Sequence, residues 1–203
     1  RHLEQRSSEP RADLLSHLLK AGNDESWTHN ELIGTCSMLL FAGHDTTSAL
    51  IASSVHALLQ AGEQATLAHA DSASVGIAVE ELLRFDGPSK TNIRVAQGAL
   101  ELGGHDILPG QHLWLGVMAA NHDPSVFAAP QSLDLNRRPN PHLAFGAGIH
   151  FCLGPSLARL EAALALPALL QRFPRMRLAN PTAPDYSPTI VDRSLRTLPV
   201  HLF

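Results

Sequence analysis

Apolar positions recur with a helical period toward both ends of the chain and lose that period in the middle. Between Pro10 and Lys20, Leu14, Leu15, Leu18 and Leu19 share one face and predict a short helix, which Gly22-Asn23-Asp24 should break. Thr28 followed by Glu31 has the pattern of a capping box. The helix it opens should run to about Gln60, long for a globular domain. From Cys36 to Ala42 that helix is apolar nearly all round, which predicts passage through a core. A further helix is expected from about Ser74 to Phe85, stopping before Gly87-Pro88. From Thr91 to Leu115, short β-prone pieces alternate with Gly103-Gly104 and Pro109-Gly110, predicting a small sheet with tight turns. Pro124 to Pro141 reads as a long irregular stretch, a length that inside a domain usually marks function. A last long helix should run from about Pro155 to Phe173, and Arg196 to Leu202 should form a final strand. The class is mainly α with minor β.

Composition narrows the function. The 203 residues suit one large domain or part of a larger one, and 44% are hydrophobic, enough for a packed core. A net charge of -4 without any basic block argues against a nucleic-acid surface. The longest apolar runs, Cys36–Ala42 and Ala162–Leu170, are too short to span a bilayer, and no signal peptide is visible. The 2 cysteines, Cys36 and Cys152, lie far apart, which favours a reducing, cytoplasmic setting over a disulfide scaffold. The chain begins Arg1-His2-Leu3, so the natural N-terminus is expected to lie elsewhere.

The densest chemical signal is Phe145-Gly146-Ala147-Gly148-Ile149-His150-Phe151-Cys152-Leu153-Gly154, directly before a predicted helix. A glycine-punctuated loop there presents one thiol at a helix N-terminus, where the dipole favours anionic groups. Gly146, Gly148 and Gly154 would let backbone approach a bulky planar group. Taken alone, the thiol could be a buried structural cysteine, a nucleophile or a metal ligand. A dinucleotide loop fails, because Phe151 stands where the third glycine of GxGxxG belongs. His150 is near in sequence, but no group that would orient it as a hydrolase base is evident.

A second signal lies midway along the long helix. Ala42-Gly43-His44-Asp45-Thr46-Thr47 places a glycine, an acid and two hydroxyls in apolar surroundings. A glycine there costs about 1 kcal/mol against alanine. Thr46 can bond back to the Ala42 carbonyl and bend the helix. Either a packing kink or a functional break would explain the pattern. Glu81 and Arg84, at i and i+3, have ordinary helix salt-bridge spacing.

Taken together these motifs resemble the bacterial soluble branch of the cytochrome P-450 superfamily, and specifically its C-terminal half. The loop at Cys152 matches the family's heme-thiolate signature, and Ala42 to Thr47 matches its oxygen-activation motif. Ala120-Asn121-His122-Asp123-Pro124, Pro139 to Phe145, Leu157-Ala158-Arg159-Leu160-Glu161 and Arg196 to Val200 agree in order. Ala61-Gly62 and Phe151 depart from common family residues.

The resemblance implies a heme b cofactor with Cys152 as the axial iron ligand, and His150 and Arg94 at the heme propionates. Phe145, Gly146, Gly154, Ala42 and Gly43 would border the heme. Asp45 and Thr46 would supply protons for oxygen activation. Glu81, Arg84 and Arg137 would form a buried structural triad, with Arg138 the rival for its last member. The implied activity is monooxygenation of a small organic molecule by O2. Electrons would come from a ferredoxin or flavodoxin-type donor with its NAD(P)H reductase. Met38, Ala42, Ser89 to Ile93 and Ile190 would line the substrate pocket, with Lys90, Thr91 and Asn92 hinting at a polar substrate. Residues 1–203 would then be a partial domain lacking the N-terminal helices. The alternative is a truncated heme-binding or structural fragment without turnover.

Overall fold

The computed structural model describes residues 2–182 and 184–203. The chain divides into two compact units, one ending at Asp45 and one beginning at Thr46.

In the first unit, α1 (His2–Ser8) precedes α2 (Leu14–Asp24). Asp13 caps α2 by accepting the Ser16 N–H at 2.9 Å, and Arg6 Nε reaches the same carboxylate at 2.6 Å. The sequence predicts an end to α2 at Gly22, but the helix continues through Asp24. Gly22 is not a breaker there. A Cβ on it would meet the Trp27 ring at 3.3 Å, so it admits Trp27 against the helix. Thr28 and Glu31 form the reciprocal capping box, with Thr28 N–H on Glu31 Oε2 at 2.7 Å and Glu31 N–H on Thr28 Oγ1 at 3.2 Å. This opens α3 (His29–Ala61), which runs on into the second unit.

The expected core passage at Cys36–Ala42 is corrected. No residue of that run is buried, and Met38, Leu40 and Phe41 are 53%, 75% and 62% exposed. Hydrophobic pattern identifies a surface that disfavours water; it does not identify what covers it.

The second unit packs the later turns of α3 with α4 (Gln64–Ala68), α5 (Ser72–Asp86) and α7 (Pro155–Arg172). Leu50, Leu58, Leu67, Val79, Leu82, Leu166 and Leu170 make its core. Helix α4 is short, and its N-cap Glu63 makes no side-chain cap bond, so the sequence carries no start signal for it. Helix α5 begins at Ser72 because Asp71 caps it, accepting the Ser74 N–H at 2.8 Å. Pro155 opens α7 in its first turn, where no hydrogen bond is lost.

The predicted small sheet is resolved into separate two-stranded ladders. Strand β1 (Asn92–Val95) pairs antiparallel with β4 (His112–Leu115), and β2 (Leu100–Leu102) with β3 (His105–Ile107). Gly103 and Gly104 both have positive φ, +59° and +78°, as the tight β2–β3 turn demands. The expected final strand is divided. Strand β7 (Leu195–Thr197) pairs with β6 (Asp185–Tyr186), while β8 (Val200–His201) pairs with β5 (Arg177–Leu178). Pro199, which has no N–H to donate, stands between them. After β4 comes α6 (Val117–Asn121). Residues 122–147 then contain neither helix nor strand, up to a single 3-10 turn at Gly148–His150.

Candidate functional site

The cysteine loop is closed by its own backbone. Gly146 N–H donates to Leu143 O at 2.8 Å, Phe151 N–H to Gly148 O at 3.0 Å, and Cys152 N–H to Phe145 O at 2.9 Å. Gly146 and Gly148 sit at φ +72° and +69°, which strains any residue with a Cβ. Gly154, the N-cap of α7, has φ -106° and space around it, so the chain itself does not demand glycine there. The Cys152 thiol is exposed, whereas Cys36 is half-buried in the first unit. Cys152, His150, Gly146 and Phe145 line a cleft of about 320 Å³ together with Arg94 from β1. Arg94 also donates to the Ile93 carbonyl at 2.8 Å.

Helix α3 continues unbroken through Ala42–Thr47. The expected span is thus borne out through this segment, because one glycine and two threonines weaken a helix without ending it. Ala42, Gly43 and Asp45 belong to the first unit, and Thr46 is the first residue of the second. Thr46 is exposed and Thr47 is buried at 9%.

Glu81, Arg84 and Arg137 form one buried cluster. Arg84 grips Glu81 with both prongs of its guanidinium, Nε at 2.7 Å and an η nitrogen at 2.8 Å. Arg137 Nε reaches the two carboxylate oxygens at 3.1 and 3.0 Å. The Asp134 N–H and the Asn140 side-chain amide complete the set at 3.0 and 3.2 Å. The η nitrogens of the two arginines donate to the carbonyl of Asn121, at the end of α6, and to those of Ala128, Pro130 and Ser132 in the irregular segment. Arg138, the rival, is exposed and has no place in the cluster.

Sequence reasoning assigned no role to the neighbouring pair, Glu80 and Arg159. Arg159 bonds Glu80 at 2.6 and 2.8 Å, and His142 Nε2 lies 2.9 Å from the same carboxylate. Burial pushes the Glu80 carboxyl upward, but the Arg159 and His142 hydrogen bonds outweigh it and hold the group at about 2. Asn121 was likewise unassigned; its Oδ1 accepts the Leu143 N–H at 2.7 Å and steadies the start of the cysteine loop. All three residues lie within, or beside, stretches that carry the resemblance, but their partners are remote in sequence.

Within the second unit, the expected substrate-pocket residues divide between two cavities. Ser89 and Asn92 line the Cys152 cleft, while Lys90, Thr91 and Ile190 line a separate cavity of about 970 Å³ with Met118 and Arg193. Lys90 Nζ and Thr91 Oγ1 each donate at 2.8 Å to carbonyls of Thr189 and Ile190, so their polar groups hold a loop. Met38 lies in the first unit.

A cytochrome P-450 family model matches residues 75–189, spanning the ion-paired cluster and the cysteine loop. The chain belongs to the cytochrome P-450 family. It is 43% identical over 198 residues to the biotin biosynthesis cytochrome P-450 of Bacillus subtilis (strain 168), covering 98% of this chain and 50% of that protein. Nocardicin C N-oxygenase of Nocardia uniformis subsp. tsuyamanensis is 44% identical over 180 residues, covering 88% of this chain and 45% of that one. The solved structure of P-450 BioI with an acyl carrier protein bearing hexadec-9Z-enoic acid superimposes with a TM-score of 0.90 at 43% identity, over 98% of this chain and 50% of that one. The chain thus spans about half the length of the curated relatives it matches.

The cofactor of cytochromes P-450 is heme b, held through a cysteine thiolate. The residues present suit it. An exposed soft sulfur donor lies on a cleft that also carries a guanidinium and an imidazole, the groups that pair with carboxylates.

Proposed function

We propose that the protein carrying this chain is a heme-thiolate monooxygenase that places one oxygen atom of O2 into a small organic substrate. The observation that carries this reading is Cys152, the exposed thiol on a cleft shared with Arg94 and His150. Heme bound through a thiolate supplies electron density that favours O–O cleavage. Within this reading Cys152 would hold the heme iron through its thiolate, and Arg94 and His150 would pair with the propionate carboxylates. Phe145, Gly146 and Gly154 of the cysteine loop would border the group. Ala42 and Gly43 would also border the group, and Asp45 and Thr46 would hold and pass protons. Glu81, Arg84 and Arg137 keep the irregular segment in place and take no part in chemistry.

The electron donor is a ferredoxin or flavodoxin-type protein with an NAD(P)H reductase. Among the described residues no helix is long and apolar enough to cross a membrane. The site of action proposed is the cytoplasm. A second reading, a heme-binding or structural segment without turnover, is favoured for these 203 residues by themselves. The chain spans about half the length of the relatives it matches, and a site that excludes water is needed to protect reactive oxygen chemistry.

The test is the difference spectrum of the reduced, CO-bound full-length protein. The wild type and Cys36→Ala should give the thiolate-ligated Soret band, and Cys152→Ala should lose it. Loss of the band in Cys36→Ala with retention in Cys152→Ala refutes the assignment. Product formation with a reconstituted donor, in the full-length protein and in residues 1–203, separates the two readings.

A further inference from the structure

Glu80 faces the cysteine loop with partners separate from those of Glu81. The Arg159 guanidinium that grips it at 2.6 and 2.8 Å also lies 4.5 Å from the centroid of the Phe145 ring. The Phe145 carbonyl in turn accepts the Cys152 N–H at 2.9 Å. On the other side of Glu80, His142 makes two contacts that fix its tautomer. Its Nδ1 accepts the Ala144 N–H at 3.2 Å, so the ring proton resides on Nε2 and is donated to Glu80, 2.9 Å away. One carboxylate on α5 therefore anchors both side chains that hold residues 144 and 145, and residue 145 holds the Cys152 backbone.

We propose that Arg159 is a positioning residue for Cys152: clamped by Glu80 and stacked on Phe145, it fixes the cysteine loop and sets a positive charge within reach of the sulfur. The reading of Cys152 as the iron ligand underlies the second half of this proposal. Arg159 holds its proton more tightly than an ordinary arginine, first because of the Glu80 hydrogen bond, against the opposing effect of burial. The charge of Glu80 adds to it. Through Phe145, whose ring stacks on the guanidinium and whose carbonyl holds the Cys152 N–H, the charge stands against the loop that carries the sulfur. A planar fork that binds two oxygens and stacks on a ring is not replaced by an ammonium.

Two measurements on the full-length protein test this. The first uses cofactor-free protein and reads hydrogen exchange at the Cys152 amide. Arg159→Gln should accelerate it at least several-fold, and Arg159→Lys should fall between, because charge without the fork restrains the Phe145 carbonyl less. The second reads the reduction potential of the heme-loaded protein. Arg159→Gln removes a positive charge beside the sulfur and leaves Glu80 unpaired, so the added electron is less stabilised and the potential moves negative. Glu80→Gln keeps Arg159 and removes its counter-charge, so the potential moves positive. A merely structural role would not give shifts of opposite sign. Unchanged exchange in Arg159→Gln, or potentials that move together in the two variants, overturns the proposal. A wild type without the thiolate-ligated spectrum overturns the ligand reading instead, and the exchange rates still decide the positioning.

Discussion

Arg137 Nε contacts both carboxylate oxygens of Glu81, a residue 56 positions earlier in the chain. Glu81 is fully buried, and Arg84 is 1% exposed beside it. A charge so placed is tolerable only with its partners present, because desolvation is offset by the paired guanidinium forks. Arg84→Ala leaves Glu81 without its bidentate partner and frees the carbonyls of Asn121 and Pro130. The expected cost is about 3–5 kcal/mol. Thermal unfolding should show a large loss in Tm, and heme content should fall with it. A variant with wild-type Tm and heme content would remove the cluster from its structural role.

The adjacent carboxylate gives a pH dependence. Glu80 is held at about 2 against an ordinary 4.5. Between those values the unfolded chain binds a proton that the folded chain refuses, so this group's stabilisation is complete above the upper value. It is lost as pH falls toward the lower one. Glu80→Gln should therefore flatten the acid limb of Tm against pH within that window and leave the slope above it unchanged. An acid limb identical to wild type would mean that the Arg159 and His142 bonds do not couple to folding.

The glycines of the cysteine loop divide by cause. Gly146 at φ +72° is required by the backbone, and Gly146→Ala should cost ~1–2 kcal/mol even in cofactor-free protein. Gly154 at φ -106° is not so required, and a Cβ there meets nothing within 4 Å. Gly154→Ala should leave the cofactor-free stability nearly unchanged, and a loss confined to heme retention would mark that position as facing the ring. Equal destabilisation of the two cofactor-free variants, read by denaturant midpoint, would contradict the distinction.

These contrasts also indicate what was legible in the sequence. The Thr28–Glu31 box and the Asn92-to-Leu115 turns could be read because their determinants are local: a cap three residues away, a pair of glycines in a turn. The Cys152 loop could be read because a single stretch carries the whole pattern. Arg137 could be named only through resemblance, since nothing local separates it from Arg138. Glu80 and Arg159 are 79 residues apart, and their pairing depends on how α5 and α7 pack, which no periodicity encodes. The Cys36–Ala42 run failed for a different reason. Its apolar character is plain in the sequence, but the pattern does not say what covers it.

Thr46 and Thr47 offer the sharpest test of the oxygen-activation motif. They are neighbours on α3, but Thr47 is buried at 9% and Thr46 is exposed, so loss of the hydroxyl has different expected consequences at each. The resemblance assigns proton supply to Thr46 with Asp45. A hydroxyl positioned by a helix can donate a hydrogen bond to the oxygen substrate, and an acid beside it can refill the proton. Thr46→Ala in the full-length protein should keep heme and substrate binding and still consume reductant. Without directed protonation, more of that reductant should appear as peroxide and less as hydroxylated product. Asp45→Asn should slow turnover with a smaller change in that ratio. Thr47→Ala should lower stability through lost packing while the ratio of peroxide to reductant stays near wild type. The measurement is peroxide released per reductant consumed in all three variants, beside Tm. If Thr47→Ala uncouples and Thr46→Ala does not, the motif is set one residue out of register. If neither uncouples, Thr46 has no part in proton supply, and the glycine and threonines of this segment serve helix packing alone.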